Sequence, residues 1–179
     1  MPTVFTHVVV PIALGLGLGR KTIPPRLLIA GAIAAIVPDA DVVAFKFGVA
    51  YADAFGHRGA SHSLVFACVP GVAAALFHSH LRVRPWTAFW FVTIATASHS
   101  MLDMLTNGGL GVALQWPWSE ARHFAPWRPV EVSPFAHNFF SARGAEVQLS
   151  ELWWVWLPAI AGGVLLAGIR RLNNGEASR

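Results

Sequence analysis

The residues of this chain best able to hold a divalent cation are His7, Asp39, Asp41, His57, His62, His99 and Asp103, and each lies at the end of an apolar run. Ionisable side chains at the edge of a hydrocarbon phase are costly to place, so such a set is a functional signal. His99 and Asp103 stand four apart in Ser98-His99-Ser100-Met101-Leu102-Asp103, which puts an imidazole and a carboxylate on one helical face. Such a pair either closes on itself through a hydrogen bond or shares a metal. In Pro38-Asp39-Ala40-Asp41 the proline breaks a helix and two carboxylates follow. Alone they would read as a solvated turn; beside histidines they read as ligands or bridges. His57-Arg58-Gly59-Ala60-Ser61-His62-Ser63 crowds two imidazoles, a guanidinium and two hydroxyls at the entrance to the next apolar run. Ser61 or Ser63 is the expected helix N-cap. The imidazoles suit zinc, iron, manganese or nickel, and the planar fork of Arg58 suits a substrate phosphate or carboxylate. His7 stands alone near the start and gains its weight from this company.

Other titratable groups fit less well. His78 and His80 sit beside Arg82 and Arg84 and read as interfacial side chains. Cys68, the single cysteine, lies in an apolar run, which excludes an intramolecular disulfide and a thiolate zinc cluster. His123 and His137 are loop histidines that spacing does not place. Glu146 and Glu151 flank the last apolar segment, where a carboxylate favours the helix dipole or closes the site as a base.

Positioning these groups falls to five apolar segments, about Val4 to Gly19, Leu27 to Phe45, Ser63 to Leu81, Trp86 to Leu105 and Leu152 to Ile169. Each approaches the roughly 20 residues that span a bilayer. The first carries Pro11 and the second is interrupted by Pro38, so one or both need not cross fully. The segment from Pro2 to Gly19 reads as a retained helix and not a cleaved signal. Of 179 residues, 55% are hydrophobic and 12% charged, against about a quarter charged in a soluble domain. The expected fold is therefore all-α, a polytopic membrane bundle of about four to five helices forming a single domain over residues 1–179. The formal charge of +4 is dispersed in short clusters, which argues against nucleic acid as a partner.

Those clusters follow the first segment (Arg20, Lys21, Arg26), the third (Arg82, Arg84) and the fifth (Arg170, Arg171). The positive-inside rule makes these ends cytoplasmic and gives the ligand-bearing ends to the outer face. Lys46, Arg58, Arg122, Arg128 and Arg143 fall on that outer side against the rule. A long outer connection from about Asn107 to Ser150, with Trp116, Trp118, Trp127, Phe135, Phe139 and Phe140, is expected to form an aromatic interfacial cap.

The carboxylates and imidazoles outnumber the needs of one tetrahedral ion, so two or three divalent transition metals are expected, zinc foremost, with manganese or iron as alternatives. Closely spaced metals generate hydroxide and hold both oxygens of a displacement at phosphorus, which favours ester hydrolysis.

Thr6-His7, Pro38-Asp39-Ala40-Asp41, His57-Arg58-Gly59-Ala60-Ser61-His62-Ser63, Ser98-His99 through Asp103-Met104-Leu105-Thr106 and Trp116-Pro117, in this order, resemble a bacterial family of inner-membrane metal-dependent hydrolases named after YdjM. The helical His-x-x-x-Asp with upstream His and Asp is more distantly similar to zinc-dependent phospholipase C and the single-strand nucleases, which are all-helical and bind three metals. That likeness implies ligands at His7, Asp39, His57 or His62, His99 and Asp103. The resemblance implies a multi-pass protein of the bacterial inner (cytoplasmic) membrane. It would cleave a phosphoester or related ester of a lipid or lipid-linked substrate through metal-activated water, with Asp39, Asp41, Arg58 and His62 in catalytic roles. The competing expectation is a divalent-metal transporter, or a metal-binding membrane protein without hydrolytic activity. A helix-gluing scaffold and a serine hydrolase built on Ser61 are weaker alternatives.

Overall fold

The computed structural model describes residues 1–133 and 140–176, and the described residues are helical, with two isolated bridge pairs and no strand. The helices are α1 (Val4–Leu18), α2 (Pro25–Ala34), α3 (Leu64–Leu76), the single turn α4 (His78–Leu81), α5 (Pro85–Met104), α6 (Ala142–Glu151) and α7 (Leu157–Glu176). A tight 3-10 run, Val37–Phe47, extends α2, and a 3-10 turn, Ala60–His62, leads into α3. A π-helical turn, Leu152–Trp156, joins α6 to α7.

Local chemistry explains the boundaries. Pro24 and Pro25 open α2 and Pro85 opens α5, where a missing N–H is harmless and φ is already helical. Ser63 caps α3 by accepting from Phe66 N at 3.0 Å, whereas Ser61 turns elsewhere. Pro38 ends the regular α2 helix within a turn. The five apolar segments thus appear as helices near their expected positions. The long connection does not stay irregular to Ser150, however. Ser141 accepts from Gly144 N at 3.3 Å and starts α6, whose amphipathic pattern carries more polar residues than an apolar search detects.

Packing centres on α5, which takes α3 on one side and α2 and α1 on the other, while α7 lies along α1. Ile23, Leu27, Ala34, Ala74, Ala88, Phe91 and Val92 form one apolar cluster, and Leu102, Val130 and Val155 form a second nearer the opposite end. Polarity is otherwise inverted. His7, Arg58, His62, His99, Asp103 and Glu151 are buried, whereas Leu16, Leu76, Trp86, Leu165 and Leu172 are more than 60% exposed. An apolar exterior around a polar interior is the arrangement that hydrocarbon surroundings require.

Two helical runs among the described residues, Pro25–Phe47 and Ala142–Asn174, are long and apolar enough to cross a membrane; Val4–Leu18 and Leu64–Leu76 are apolar but shorter. The basic clusters gather at one end of the bundle. Arg170 donates to the carbonyls of Leu16 and Gly17 at the end of α1, and Arg26 donates to His80 O. His99 lies 14 residues beyond Pro85 on α5, about 21 Å along the axis at 1.5 Å per residue, so the ligand-bearing end is opposite the basic end.

Helices α1 and α7 approach closely at glycine. A Cβ on Gly17 would lie 2.9 Å from both Gly163 O and Leu166 Cβ, whereas one on Gly162 would meet nothing within 4 Å. Gly17→Ala is therefore expected to lower the thermal midpoint of the detergent-solubilised protein, by overpacking that costs about 1–3 kcal/mol. Gly162→Ala should leave the midpoint unchanged or slightly raised. Equal loss in both variants would rule out the close α1–α7 contact.

Candidate metal centre

His99 shows how the fold prepares a ligand. Its Nδ1 lies 2.7 Å from Ala35 O, and a carbonyl only accepts, so the proton sits on Nδ1 and the Nε2 lone pair points inward. Ala35 O is free for this because it belongs to the last turn of α2, where the i+3 donor of a tight turn would be Pro38, which has no N–H. The proline noted in the sequence thus breaks a helix and at the same time supplies the acceptor that orients a histidine 64 residues away.

His62 is oriented the same way from the other side. Ser61 Oγ donates to Asp41 Oδ2 at 2.7 Å, and His62 Nδ1 lies 3.0 Å from Ser61 Oγ and 3.1 Å from Asp41 Oδ2. Its Nδ1–H is therefore directed at the Ser61–Asp41 pair, and its Nε2 turns inward to lie 3.0 Å from His99 Nε2. Two lone pairs at that separation repel unless a positive charge lies between them.

Asp39 and Asp103 complete the set. His62 Nε2 is 3.6 Å from Asp39 Oδ1 and 3.4 Å from Asp103 Oδ2; His99 Nε2 is 3.3 Å and 4.0 Å from the same atoms. All four donors lie within 4.8 Å of one another. A tetrahedral ion with bonds of 2.0–2.1 Å needs donor separations of about 3.3 Å. Both oxygens of Asp39 and of Asp103 are buried without a hydrogen-bond partner, as are both nitrogens of His7. Orphaned buried carboxylates are costly unless a cation satisfies them, and the donor set fits a divalent transition metal.

His7 stacks on His99 with ring centroids 3.7 Å apart, and its Nε2 is 3.8 Å from Asp103 Oδ1. The two oxygens of Asp103 therefore face different imidazoles. A second group, Asp41, His57 and His62, also has donor spacing that could hold an ion. Its atoms are already partnered. Asp41 takes His57 Nδ1 at 2.7 Å, Arg58 N at 3.2 Å and Ser61 Oγ at 2.7 Å. Asp41 acts here as an outer carboxylate that sets the orientation of two histidines, the arrangement that commonly surrounds metal-bound imidazole.

Arg58 requires a correction. As a substrate clamp it would need an open guanidinium, but it is fully buried. Its Nε lies 3.0 Å from Asp103 Oδ2, outside hydrogen-bond angles, while Nη1 donates to Gly108 O and Nη2 to Thr106 Oγ1. A positive φ of 64° folds its side chain inward. Neighbouring Gly59 is needed for close approach, since a Cβ there would stand 2.2 Å from Ala54 O. Arg58 consequently balances charge. Asp39, Asp41 and Asp103 carry three negative charges and Arg58 one positive, which leaves two for a divalent ion to neutralise (3 − 1 = 2).

Burial disfavours the charged form of His62, but the carboxylates of Asp103, Asp39 and Asp41 facing its ring nitrogens outweigh it and raise its pKa to about 10. Without a metal, a proton supplies the central positive charge and competes with any cation.

The remaining sequence candidates divide clearly. Glu151 is buried and accepts from Thr3 N, Thr3 Oγ1 and Thr6 Oγ1, whereas Glu146 is exposed and pairs with Arg143. Only a position at the start of an apolar helix marked Glu151 in the sequence. His123 is exposed, and its backbone bridges to Val112. His78 bonds to Val83 O at the basic end. His137, Phe135 and Phe139 lie outside the described residues. The partners Ala35 O, Thr106 and Gly108 were missed; a backbone carbonyl leaves no sequence signal.

The sequence model of the YdjM inner membrane protein family matches residues 1–173. The chain belongs to this family. It is 52% identical over 171 residues to inner membrane protein YbcI of Escherichia coli (strain K12), covering 94% of this chain and 96% of that protein. No solved structure matches it. Membership of the YdjM inner membrane protein family thus holds over nearly the whole chain, and it agrees with the inverted polarity of this fold.

Metal content tests the centre. Purified without chelators and loaded with zinc or manganese, the wild type should retain a tightly bound ion by elemental mass spectrometry, and His99→Ala/Asp103→Ala should retain none. Asp41→Asn should keep every donor yet weaken affinity about 10–100-fold through loss of outer-carboxylate support. Because His62 holds its proton up to about pH 10, affinity should rise steadily between about pH 6 and pH 9 as that competition weakens. Binding independent of pH, or unaffected by Asp41→Asn, would count against this arrangement.

Proposed function

We propose that this protein is a membrane-embedded, metal-dependent hydrolase that cleaves a phosphoester or related ester of a lipid or lipid-linked substrate. The observation that carries the reading is the convergence of two inward imidazole Nε2 atoms, 3.0 Å apart, with four carboxylate oxygens beside them that have no hydrogen-bond partner. A junction closed by hydrogen bonds alone would have given those oxygens donors.

Asp39, His62, His99 and Asp103 would hold one ion, and His7 with the second oxygen of Asp103 extends the donor set toward another. Zinc suits the mixed imidazole and carboxylate donors, as do manganese and iron. When bound, such an ion supplies Lewis-acid polarisation of an ester oxygen and lowers the pKa of water toward neutrality. The chain's own groups do the rest. Asp39 is the first-centre donor with residual exposure, 9% for its side chain against 0% for His62, His99 and Asp103, so reactants approach along the Asp39 edge. Asp39 on that edge, with oxygens that no hydrogen bond occupies, accepts the proton of an attacking water. Arg58 balances part of the negative charge beside Asp103.

We place the centre at the outer face of a multi-pass protein in the bacterial inner membrane, because the basic clusters lie at the other end of the bundle. One observation favours the second reading, a bound cation without hydrolysis: most of the donors are fully buried, and closed sites more often hold structural or transported ions.

Alanine at Asp39, His62, His99 or Asp103 should each reduce phosphoester turnover at least about 100-fold, the scale of losing a group that acts as part of a unit. Membrane insertion should persist. The assay is product release from phospholipid vesicles and from a chromogenic phosphodiester, with chelation and metal re-addition as the reversible control. Retained turnover in all four variants would overturn the hydrolase. Metal uptake into sealed vesicles without turnover would establish the second reading.

A further inference from the structure

A cleft of about 620 Å³ opens beside the centre, lined by Thr3, Phe5, Leu149, Glu151, Leu152 and Trp156 with Ala145 and Gln148 at its edge. Its size is within the range of about 300–1,000 Å³ that small-molecule sites occupy. The cleft is two-sided in chemistry. Phe5, Leu149 and Leu152 form an exposed apolar rim, 64%, 57% and 38% accessible. Its floor is polar and closed: Glu151 accepts from Thr3 and Thr6, and Trp156 Nε1 donates to Thr6 Oγ1 at 2.7 Å.

Position relates this cleft to the metal centre. Thr3, Thr6 and His7 share one face of the first turn of α1, at spacings of three and four. The polar floor is thus about 6 Å along the helix axis from His7, at 1.5 Å per residue. Rim residues Leu149 and Leu152 lie on the Ala142–Asn174 run, which is long and apolar enough to cross a membrane and on which Trp153, Trp154 and Leu157 are exposed as well. The cleft therefore opens sideways onto the hydrocarbon-facing surface and ends on hydrogen-bonding groups beside the donors. The turn that forms its wall is π-helical, Leu152–Trp156, a widening that recurs at functional sites.

We propose that this cleft is the subsite for one hydrocarbon chain of a bilayer lipid, entering from the side and directing its headgroup toward the metal donors. An aqueous metabolite has no use for an apolar rim open to lipid, and the Thr3–Glu151 floor, already closed by its own hydrogen bonds, offers no open polar group to anchor one. A hydrocarbon chain suits the rim, and a headgroup carried on it comes to lie beside His7. The proposal rests on the hydrolase reading for what happens to the headgroup, but the chain subsite itself is testable without turnover.

The probe is phosphatidylglycerol bearing a diazirine midway along one acyl chain, present at trace level in nanodiscs of dioleoyl-phosphatidylglycerol. Irradiation of the zinc-loaded wild type should label the peptides carrying Thr3 and Glu151 to Trp156. Leu149→Trp, at an exposed position that tolerates bulk, fills the cleft and should reduce that labelling at least about fivefold with bound zinc unchanged. Leu165→Trp, on the exposed face of α7 away from the cleft, should reduce neither. Labelling spread evenly over the apolar exterior, or unmoved by Leu149→Trp, would overturn the subsite. Cleft labelling with no ester cleavage would retain the subsite and remove the hydrolase. Cleavage of a water-soluble phosphodiester with no cleft labelling would do the reverse.

Discussion

Everything at the ligand-bearing end of this bundle is arranged around one electrostatic requirement: three carboxylates and the lone pairs of two imidazoles are held together out of water. A lone charge in such surroundings is disfavoured by several kcal/mol, so the cluster needs positive charge at its middle. Arg58 supplies part of it from the Asp103 side. The rest must come from a proton on His62 or from a cation. The backbone is shaped to this end. α2 stops where its last carbonyl can orient His99, and Arg58 adopts a left-handed conformation that a long side chain rarely takes. The Asp41 carboxylate aligns His57 through one oxygen and His62 through the other.

A second constraint follows from the surroundings. With Leu16, Leu76 and Leu172 outward and histidines inward, apolar burial contributes little to choosing which helices meet. Close approach at Gly17 and Gly163, aromatic contact of Phe91 on Gly31, and the polar cluster itself take over that role. The cluster is therefore structural as well as chemical. It ties together α1, the 3-10 run after α2, the turn before α3, and α5, four elements that share few large apolar contacts at that end.

Much of this was legible in the sequence, and the reasons for the rest are physical. Apolar length marked the five helices, and residue type marked the groups that gather at this end of the bundle, because neither depends on remote contacts. The division of labour among those donors was not legible. Asp39 and Asp41 are two residues apart and chemically identical, yet one has unpartnered oxygens turned to the centre and the other is surrounded by Ser61, His57 and Arg58 N. That distinction is set by a short 3-10 run whose side chains diverge. Arg58 read as a free anion binder because nothing local announces a positive φ at a non-glycine residue. α6 was hidden by its polar face, and Glu151 became decisive only when Thr3 and Thr6 were brought to it.

That last contact bears on how the protein is made. Thr3 and Thr6 leave the ribosome well before Glu151, which accepts their hydrogen bonds and follows 148 and 145 residues later. Closing so long a loop is slow compared with forming the helices themselves. α1 therefore stays unclasped by Glu151 until the Ala142–Glu151 helix has been made. The partners of His7, which are His99 and Asp103, are made before Glu151, so the first turn of α1 is fixed in two stages, first from the histidine side and then from the Glu151 side.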